Sequence, residues 1–473
     1  MARTALAEFW AGPLDSRLGS RDSGKTAPRC DTGRGFPLVA ECAVGFYRAR
    51  KPQETPLYRL VEAVYDQVKG VWEERFERRY GFWRVFVDDV VNAYLDCGRF
   101  ESGFARVRCS GCGDEFLVAT SCQKRGFCPS CGAKRAAAFA AFLADEVLEE
   151  VGHAMWTFSL PKMLRPYFVH HPELRGKLCR AAYETVQEMM AAAAIGSKGF
   201  RTGMVAFAAT AGDLLNINPH VHAIVPRGGW GSDGAWVPVA FIDNDVAERL
   251  FRAKVISILT SERFLSDERA RTLMSWGHNS GFSVDDSVRF EPEDRKSMEQ
   301  VARYILRPPL SLERMRYSDG DDEVHYRRKG ANGRAGGEER IDALDFLARV
   351  IAHIPPPRIH LVRYMGHYSN VSRGRRKKGK EEPLTPVRSG VREDDGLSAA
   401  ERRARRRAWA LLIRRVYEID PMVCANCGGE MRIVSVILEH RVINRILGHL
   451  ALKGIEPGRG PPRCFDHALS RTA

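Results

Sequence analysis

Two closely spaced pairs of cysteines constrain this chain more than any other feature of its sequence. Cys109-Ser110-Gly111-Cys112 is followed, after fifteen residues, by Cys128-Pro129-Ser130-Cys131. Each C-x-x-C turn directs two thiolates at one ion, and four thiolates complete the tetrahedron of a structural zinc site. The spacing therefore predicts one zinc ribbon, with Cys109, Cys112, Cys128 and Cys131 as its ligands.

The other cysteines give less definite predictions. Cys97 and Cys122 lie close to the ribbon in sequence and are either an incomplete second site or packed thiols. Cys424-Ala425-Asn426-Cys427 is half of a further zinc knuckle, for which Cys464 with His467, or His440 with His449, could complete the ligand set. The N-terminus lacks the apolar run of a signal peptide, so we expect a cytoplasmic protein in which paired cysteines bind metal rather than form disulfides.

The charge balance indicates a polyanionic partner. Lys and Arg number 73 against 59 Asp and Glu, a net charge of +14, and nucleic acid is the first candidate for such a balance. No stretch approaches the length of a membrane span, so we expect no membrane partner. The segment 373–380 carries six cations in eight residues, either as a solvated linker or as a DNA-binding arm whose affinity falls steeply with salt. The candidate DNA contacts are Arg373, Arg375, Arg376, Lys377, Lys378 and Lys380.

The hydrophobic pattern between the zinc segment and residue 310 predicts an α+β domain. Strands are expected at 154–160, 203–209, 220–225 and 236–241, with helices at 177–194, 245–262 and 295–306. Consecutive strands with separated helices favour an antiparallel sheet with flanking helices.

Two histidines stand at alternate positions of one predicted strand, in Asn218-Pro219-His220-Val221-His222. Residues i and i+2 of a strand project from the same face, so the two imidazoles lie side by side. Two neutral imidazoles on a rigid strand can bind one metal ion. Alone, the pattern is also typical of surface histidines or of histidines satisfied in a core.

The wider context resembles a known family. Asn218 to His222 resembles the His-hydrophobic-His motif of HUH endonucleases. Together with Phe127-Cys128-Pro129-Ser130-Cys131 and Tyr304-Ile305-Leu306-Arg307-Pro308-Pro309, it is similar to rolling-circle transposases of the insertion sequence 91 type. The resemblance runs from roughly residue 56 to 450.

The resemblance implies a function and a set of site residues. Tyr304 would attack a phosphodiester of single-stranded DNA and form a 5′-phosphotyrosine link, while His220 and His222 hold a catalytic Mg²⁺ or Mn²⁺. Arg307 is an auxiliary candidate, and Asp213 is a candidate third ligand. Structural zinc would occupy the cysteine ribbon.

The chain departs from the family pattern at one position. Members with two catalytic tyrosines carry them four residues apart, and Gln300 precedes Tyr304 by four. We therefore expect a single-tyrosine member in which Gln300 shares the helix face of Tyr304 as an auxiliary residue. A second strand transfer would reuse Tyr304, use Tyr317 or Tyr364, or use a partner subunit, which leaves a homo-oligomer open.

Shifts of composition along the chain, together with the resemblance, predict a domain order. We expect a disordered lead-in (1–55), a helical and zinc-ribbon DNA-binding domain (56–150), an HUH catalytic domain (151–310), an accessory region (311–370), a basic arm (371–420) and a C-terminal C-x-x-C segment (421–473).

Three other functions are consistent with parts of the pattern. A rolling-circle replication initiator or relaxase would use the same chemistry. A zinc-ribbon protein could bind DNA without catalysis. A zinc hydrolase could use the histidine pair, but would need an acidic general base near it. The leading prediction is a transposase that acts on single-stranded transposon ends and target DNA, associated with the nucleoid.

Overall fold

The structure is a computed structural model, and it describes residues 51–277, 280–330, 336–378, 423–424 and 427–454. The helices are α1 (Pro56–Gly70), α2 (Glu77–Tyr80), α3 (Phe86–Leu95), α4 (Pro129–Phe142), α5 (Arg165–His170), α6 (Leu174–Ala193), α7 (Asn244–Ser261), α8 (Asp267–Ser275), α9 (Arg295–Leu306), α10 (Ala343–Ala352), α11 (Asn370–Lys378) and α12 (His440–Leu452). Single helical turns lie at Pro52–Glu54, Trp72–Phe76, Phe100–Ser102, Leu143–Val147, Lys162–Leu164 and Leu312–Arg314. None of the described helices is both long and apolar enough to span a membrane.

The strands of the described residues form four sheets. They are β1 (Phe104–Cys109), β2 (Glu115–Ala119), β3 (His153–Ser159), β4 (Gly203–Ala211), β5 (Ile217–Pro226), β6 (Gly228–Trp230), β7 (Trp236–Pro238), β8 (Ser283–Phe290), β9 (Met315–Arg316), β10 (Glu323–Arg327), β11 (Glu338–Asp342), β12 (Val362–Gly366) and β13 (Met431–Ile437). The largest sheet has five strands in the order β12-β4-β5-β3-β8, and every neighbouring pair is antiparallel. The predicted α+β class, with an antiparallel sheet and flanking helices, is confirmed.

Alternation along the central strands gives the large sheet two apolar faces. One face carries Trp156, Phe158, Val221 and Ala223, all buried against side chains of α6 and α7. The opposite face carries Met155, Val205 and Ile224, which pack against α4 and α9. Because both faces are covered, polar side chains reach solvent at the ends of the strands, and the histidine pair lies near one such end.

The N-terminal helices share a core with the small sheet β11-β10-β9 and with α10. Leu57 and Leu60 of α1 are fully buried in this core together with Tyr326 and Phe346. The predicted accessory region therefore divides between two cores, since β12 joins the five-stranded sheet while β9 to α10 pack with α1.

The turn between β4 and β5 ties the large sheet to this second core. Leu215 is buried there in the left-handed conformation, with φ of 58°. Its carbonyl oxygen accepts a hydrogen bond from Nε2 of buried His353 at 2.9 Å. Burial of the leucine side chain offsets the roughly 1–2 kcal/mol that left-handed backbone costs.

A third sheet joins two segments that are far apart in the sequence. Strand β13 pairs with β1 in the order β13-β1-β2, and Ile443 of α12 packs on Phe104 and Leu117 of that sheet. The sequence interpretation separated these segments, because no local pattern pairs strands more than 300 residues apart.

Two strand predictions need correction. The strand expected at 236–241 has only three residues, Trp236–Pro238, and pairs with β6 outside the large sheet. Strand β8 was missed because its residues 285–287, Asp285-Asp286-Ser287, are polar, and because a β-bulge interrupts the alternation and puts Val284 and Val288 on opposite faces of the sheet.

Candidate functional site

His220 and His222 lie side by side on β5, as the alternation predicts. Their Nε2 atoms are 3.0 Å apart, and their rings meet edge to face. Two nitrogen ligands at about 2.1 Å from a common ion are separated by about 3 Å when they subtend a right angle at it. The pair therefore fits two adjacent ligands of one metal ion.

Hydrogen bonds on the other ring nitrogens orient both imidazoles. Nδ1 of His220 donates to the backbone carbonyl of Asn218 at 2.6 Å, and Nδ1 of His222 lies 3.2 Å from Oγ1 of Thr157 on the neighbouring strand β3. A carbonyl can only accept, so it selects the His220 tautomer that leaves Nε2 free to bind metal, and the Thr157 hydroxyl can accept from Nδ1 of His222 in the same tautomer.

The environment keeps both imidazoles neutral. Burial lowers the pKa of His220, and burial lowers the pKa of His222 well below its usual value of 6.5. The positive charges of Lys329 and, for His222, Arg307 act in the same direction. Both rings are therefore available as neutral ligands at pH 7.

Tyr304 lies next to this pair. It is half-buried on α9, and its ring contacts His222 edge-on, with the ring centroids 5.7 Å apart. Helix α9 ends at Leu306, as the sequence predicted, because Arg307, which precedes Pro308, has an extended backbone conformation. Gln300 is half-buried one turn earlier on α9.

Two cations flank the tyrosine. Cζ of Arg307 lies 4.5 Å from the centre of the Tyr304 ring, and Nζ of Lys329 lies 5.7 Å from it. Both side chains are exposed, so they can contact a ligand from solvent. The site thus combines two neutral metal-binding groups, one hydroxyl and two positive charges, a set suited to a phosphodiester.

The structure does not bring Asp213, the candidate third metal ligand, to the histidine pair. Its carboxylate forms an ion pair with Arg314 at 2.7 Å and accepts the backbone N–H of Lys329 at 3.1 Å. Among the described residues, no Asp, Glu, Cys or further His groups with the histidine pair. Asp213 instead fixes the backbone of Lys329, whose side chain reaches Tyr304.

The cysteines form two separate clusters. In each cluster the four sulfur atoms lie within 4.8 Å of one another. The first cluster contains Cys97, Cys122, Cys128 and Cys131, and the second contains Cys109, Cys112, Cys424 and Cys427. The predicted single site of Cys109, Cys112, Cys128 and Cys131 is therefore wrong in its grouping. Cys97 and Cys122 complete the Cys128–Cys131 pair. The C-terminal knuckle of Cys424 and Cys427 is completed by Cys109 and Cys112, and not by the candidates that the sequence suggested, which were Cys464 with His467 or His440 with His449.

The first cluster is a closed thiol site beneath α4. Sγ of Cys97 lies 3.9 Å from Sγ of Cys128 and 3.7 Å from Sγ of Cys131. A tetrahedron with zinc–sulfur bonds of about 2.3 Å has sulfur atoms about 3.8 Å apart. Interaction with the Cys122 and Cys128 thiols lowers the pKa of Cys97 to about 7, which favours a thiolate.

Comparison with known proteins gives two family matches. The family described as "Putative transposase" matches residues 203–376, and the family described as "Transposase zinc-binding domain" matches residues 68–160. The transposase for insertion sequence element IS801 of Pseudomonas savastanoi pv. phaseolicola is 25% identical over 364 residues, which are 74% of this chain and 83% of that protein. The "Putative transposase y4qJ" of Sinorhizobium fredii (strain NBRC 101917 / NGR234) is 28% identical over 285 residues, 55% of this chain and 69% of that protein. No solved structure matches.

The chain thus carries a transposase domain and a transposase zinc-binding domain, and it is similar to transposases of the insertion sequence 91 type. The transposase match spans β4 to α11 and so contains His220, His222 and Tyr304. The zinc-binding match contains the whole first cluster, but only half of the second. A transposase acts on DNA, which agrees with the positive charge of this chain.

Two arginines of the predicted basic arm of the transposase contact the rest of the protein instead of facing solvent. Arg373 stacks its guanidinium 5.1 Å from the centre of the Tyr364 ring, and burial lowers its pKa. Arg376 donates to the backbone carbonyl of His367 at 2.7 Å and pairs with Glu149. These two arginines hold α11 against the body of the protein. Arg375 is exposed. The described part of the structure does not include the side chains of Lys377 and Lys378, nor Lys380, nor the arginine-rich segment 402–407.

Three residues near the histidine pair and Tyr304 were missed by sequence reasoning. Lys329 comes from the β10–β11 hairpin, and Thr157 from a predicted strand in which no site residue was expected. Asn218 was noticed as part of the motif but given no role. Its side-chain oxygen is buried without a hydrogen-bond partner among the described residues. The alternation that paired the histidines also places Asn218 on their face of the strand, and this signal was available.

Proposed function

We propose that this transposase cleaves and rejoins single-stranded DNA through a 5′-phosphotyrosine link to Tyr304, as in rolling-circle transposition. The observation that carries the proposal is the edge contact between the rings of Tyr304 and His222. It unites a nucleophilic hydroxyl with a pair of metal-binding imidazoles in one site. We further propose that the reaction takes place in the cytoplasm, on nucleoid DNA.

The chemistry of Tyr304 balances without an external energy source. Its hydroxyl oxygen attacks the phosphorus, and the bond from phosphorus to the 3′ oxygen breaks and leaves a 3′-hydroxyl. The phosphotyrosine retains the energy of the broken phosphodiester, so a 3′-hydroxyl of another strand can attack it and release Tyr304. Arg307 and Lys329 place positive charge where the phosphate oxygens gain negative charge.

The donor set at the histidine pair fits a divalent ion. His220 and His222 supply two neutral nitrogens, and Asn218 is the candidate oxygen donor because its side-chain oxygen is buried and unpartnered among the described residues. When bound, Mg²⁺ or Mn²⁺ would polarise the scissile phosphate and neutralise developing charge. The imidazoles make Mn²⁺ the better match, since Mg²⁺ prefers oxygen ligands alone.

The test is to trap the covalent intermediate. Full-length protein is incubated with Mn²⁺ and labelled single-stranded DNA that carries the ends of its element, then analysed on a denaturing gel. We expect a slow-migrating labelled band, and peptide mapping by mass spectrometry should find the nucleotide on the peptide that contains Tyr304. No band with any end sequence or metal would contradict the proposal and favour a zinc protein that binds DNA without cleaving it.

Packing between α4 and α9 gives a prediction about the position of Tyr304. Gly132, next to Cys131 of the first cluster, faces Pro308, and a Cβ at Gly132 would lie 2.0 Å from Cγ of that proline. Gly132→Ala must therefore displace the end of α9. Because a misplacement of about 1 Å can cost about 100-fold in rate, we expect DNA cleavage to fall by that order.

The matched control is Gly448→Ala in α12, where an added Cβ meets nothing within 4 Å. Cleavage of a labelled oligonucleotide is measured for both variants, with zinc content to show that the first cluster is intact. A Gly132→Ala variant with normal zinc and a normal cleavage rate would show that this contact does not position Tyr304.

A further inference from the structure

We propose that the second cluster, Cys109, Cys112, Cys424 and Cys427, is a second structural zinc site that fastens the C-terminal segment to the zinc-binding domain. The C-terminal segment means here the described residues from 423 to 454, which include β13 and α12. Cys424 and Cys427 lie outside both family matches. The site would thus be built from two parts of the chain that are more than 300 residues apart.

The sulfur positions fit one tetrahedral ion. Sγ of Cys109 lies 3.5 Å from Sγ of Cys427, and Sγ of Cys112 lies 3.7 Å from Sγ of Cys424. These distances are close to the roughly 3.8 Å between sulfur ligands of zinc and far from the roughly 2.05 Å of a disulfide. None of these four described cysteines forms a disulfide bond. Four thiolates without a water position make a closed structural site rather than a catalytic one.

The two halves of the cluster have the same backbone form. The N–H of Cys109 donates to the carbonyl of Asp114 at 2.7 Å, and the N–H of Cys424 donates to the carbonyl of Gly429 at 2.8 Å, each five residues ahead. The glycine after each second cysteine has positive φ, 75° at Gly113 and 71° at Gly428. Two copies of one turn, each presenting two thiols to the same point, are the arrangement of paired zinc knuckles.

The turns also meet at positions where a larger side chain would crowd the thiols. A Cβ at Gly429 would lie 3.2 Å from Sγ of Cys427 and 3.4 Å from Sγ of Cys109. Ser110 binds the opposite turn, because its N–H donates to the carbonyl of Glu430 at 3.0 Å. The geometry therefore brings the two turns into direct contact around the four sulfur atoms.

The remaining contacts of the C-terminal segment are modest. Strand β13 pairs with β1, and Met431 and Ile443 are buried against the zinc-binding domain. On the other face of β13, Val434 and Val436 are more than half exposed. Ile437, Ile446, Leu447 and Leu450 pack beside Ile443 but are only partly buried. With few fully buried apolar side chains, the segment would depend on the metal to stay docked.

The experiment counts zinc and measures docking. Full-length protein is purified with zinc, and its metal content is determined by native mass spectrometry. We expect two zinc ions per chain in the unaltered protein and one in the double variant Cys424→Ser with Cys427→Ser. The control is Cys179→Ala, a buried thiol outside both clusters, which should keep two. One ion in the unaltered protein, or two in the double variant, would overturn the proposal.

Hydrogen exchange of the β13 amides tests the fastening. In the double variant these amides should exchange much faster, while those of β5 remain protected; unchanged protection of β13 would show that zinc does not hold the segment.

A measurement on the unaltered protein covers the case in which the variant does not fold. A chelator removes zinc while an alkylating reagent is present. Peptide mapping then measures the alkylation of Cys109, Cys112, Cys424 and Cys427 over time. The four thiols should become reactive together, and alkylation of Cys424 and Cys427 at a rate independent of zinc would contradict the site.

Discussion

Tyr304→Phe is expected to abolish the covalent DNA adduct and to lower DNA cleavage by at least about 10⁴-fold, because removing a nucleophile removes the reaction path that depends on it. The variant loses one hydroxyl and keeps the ring that packs against His222 and under Arg307. Folding and DNA binding should therefore be unchanged. The measurement is adduct formation on a denaturing gel, with binding followed separately by fluorescence anisotropy.

The matched controls are Tyr364→Phe and Tyr317→Phe. Tyr317 is buried in the core shared by α1 and β10, and Tyr364 lies half-buried on β12 under Arg373. Burial raises the pKa of Tyr364 to about 12, which disfavours the phenolate. Both controls should form the adduct at a normal rate. An adduct that persists in Tyr304→Phe and is lost in one of the others would move the nucleophile to that residue.

The double variant His220→Ala with His222→Ala is expected to lose cleavage by about 10³-fold or more while it still binds DNA. Among the described residues, no other His, Cys, Asp or Glu side chain is grouped with the two imidazoles. Their loss should therefore remove the metal, and with it the stabilisation of the charge on the phosphate. His440→Ala, an exposed histidine of α12, serves as the control. Full cleavage by the double variant would remove the metal assignment.

The same pair predicts a pH dependence. Burial holds the pKa of both imidazoles below 6.5, so they stay neutral as the pH falls from 7 through 6.5. Protonation at still lower pH would displace the metal. Cleavage attributable to the pair should therefore persist at pH 6.5 and be lost only further into the acid range. A loss centred at or above pH 6.5 in a titration of Mn²⁺ affinity would contradict buried, neutral ligands.

The sequence predicted those parts of the site that local patterns encode. The alternation of β5 placed His220 and His222 on one face, and the hydrophobic pattern predicted a helix at 295–306 that carries Tyr304. Contacts between distant segments were not predictable in this way. Asp213 looked like a ligand by its distance along the chain from His220, yet it pairs with Arg314 from a segment about 100 residues later.

The cysteines show the same limit more clearly. A C-x-x-C pair specifies that two thiols share an ion, but it does not specify which other pair completes the tetrahedron. Cys109 and Cys112 have their nearest pair in sequence at Cys128 and Cys131, and their nearest pair in space at Cys424 and Cys427. The sheet decides between them, because β13 aligns beside β1 and brings Met431 opposite Cys109.

The pairing of β13 with β1 has a consequence for how the protein is made. Strand β1 leaves the ribosome early and must wait for most of the chain to be translated before its outer edge is covered. An unpaired edge strand invites association with other chains. A product that terminates before Cys424 would keep that edge open and two thiols without their partners, making it a target for aggregation and proteolysis. We therefore expect truncated products that end before Cys424 to accumulate less than the full-length protein, even though they carry the histidine pair and the tyrosine.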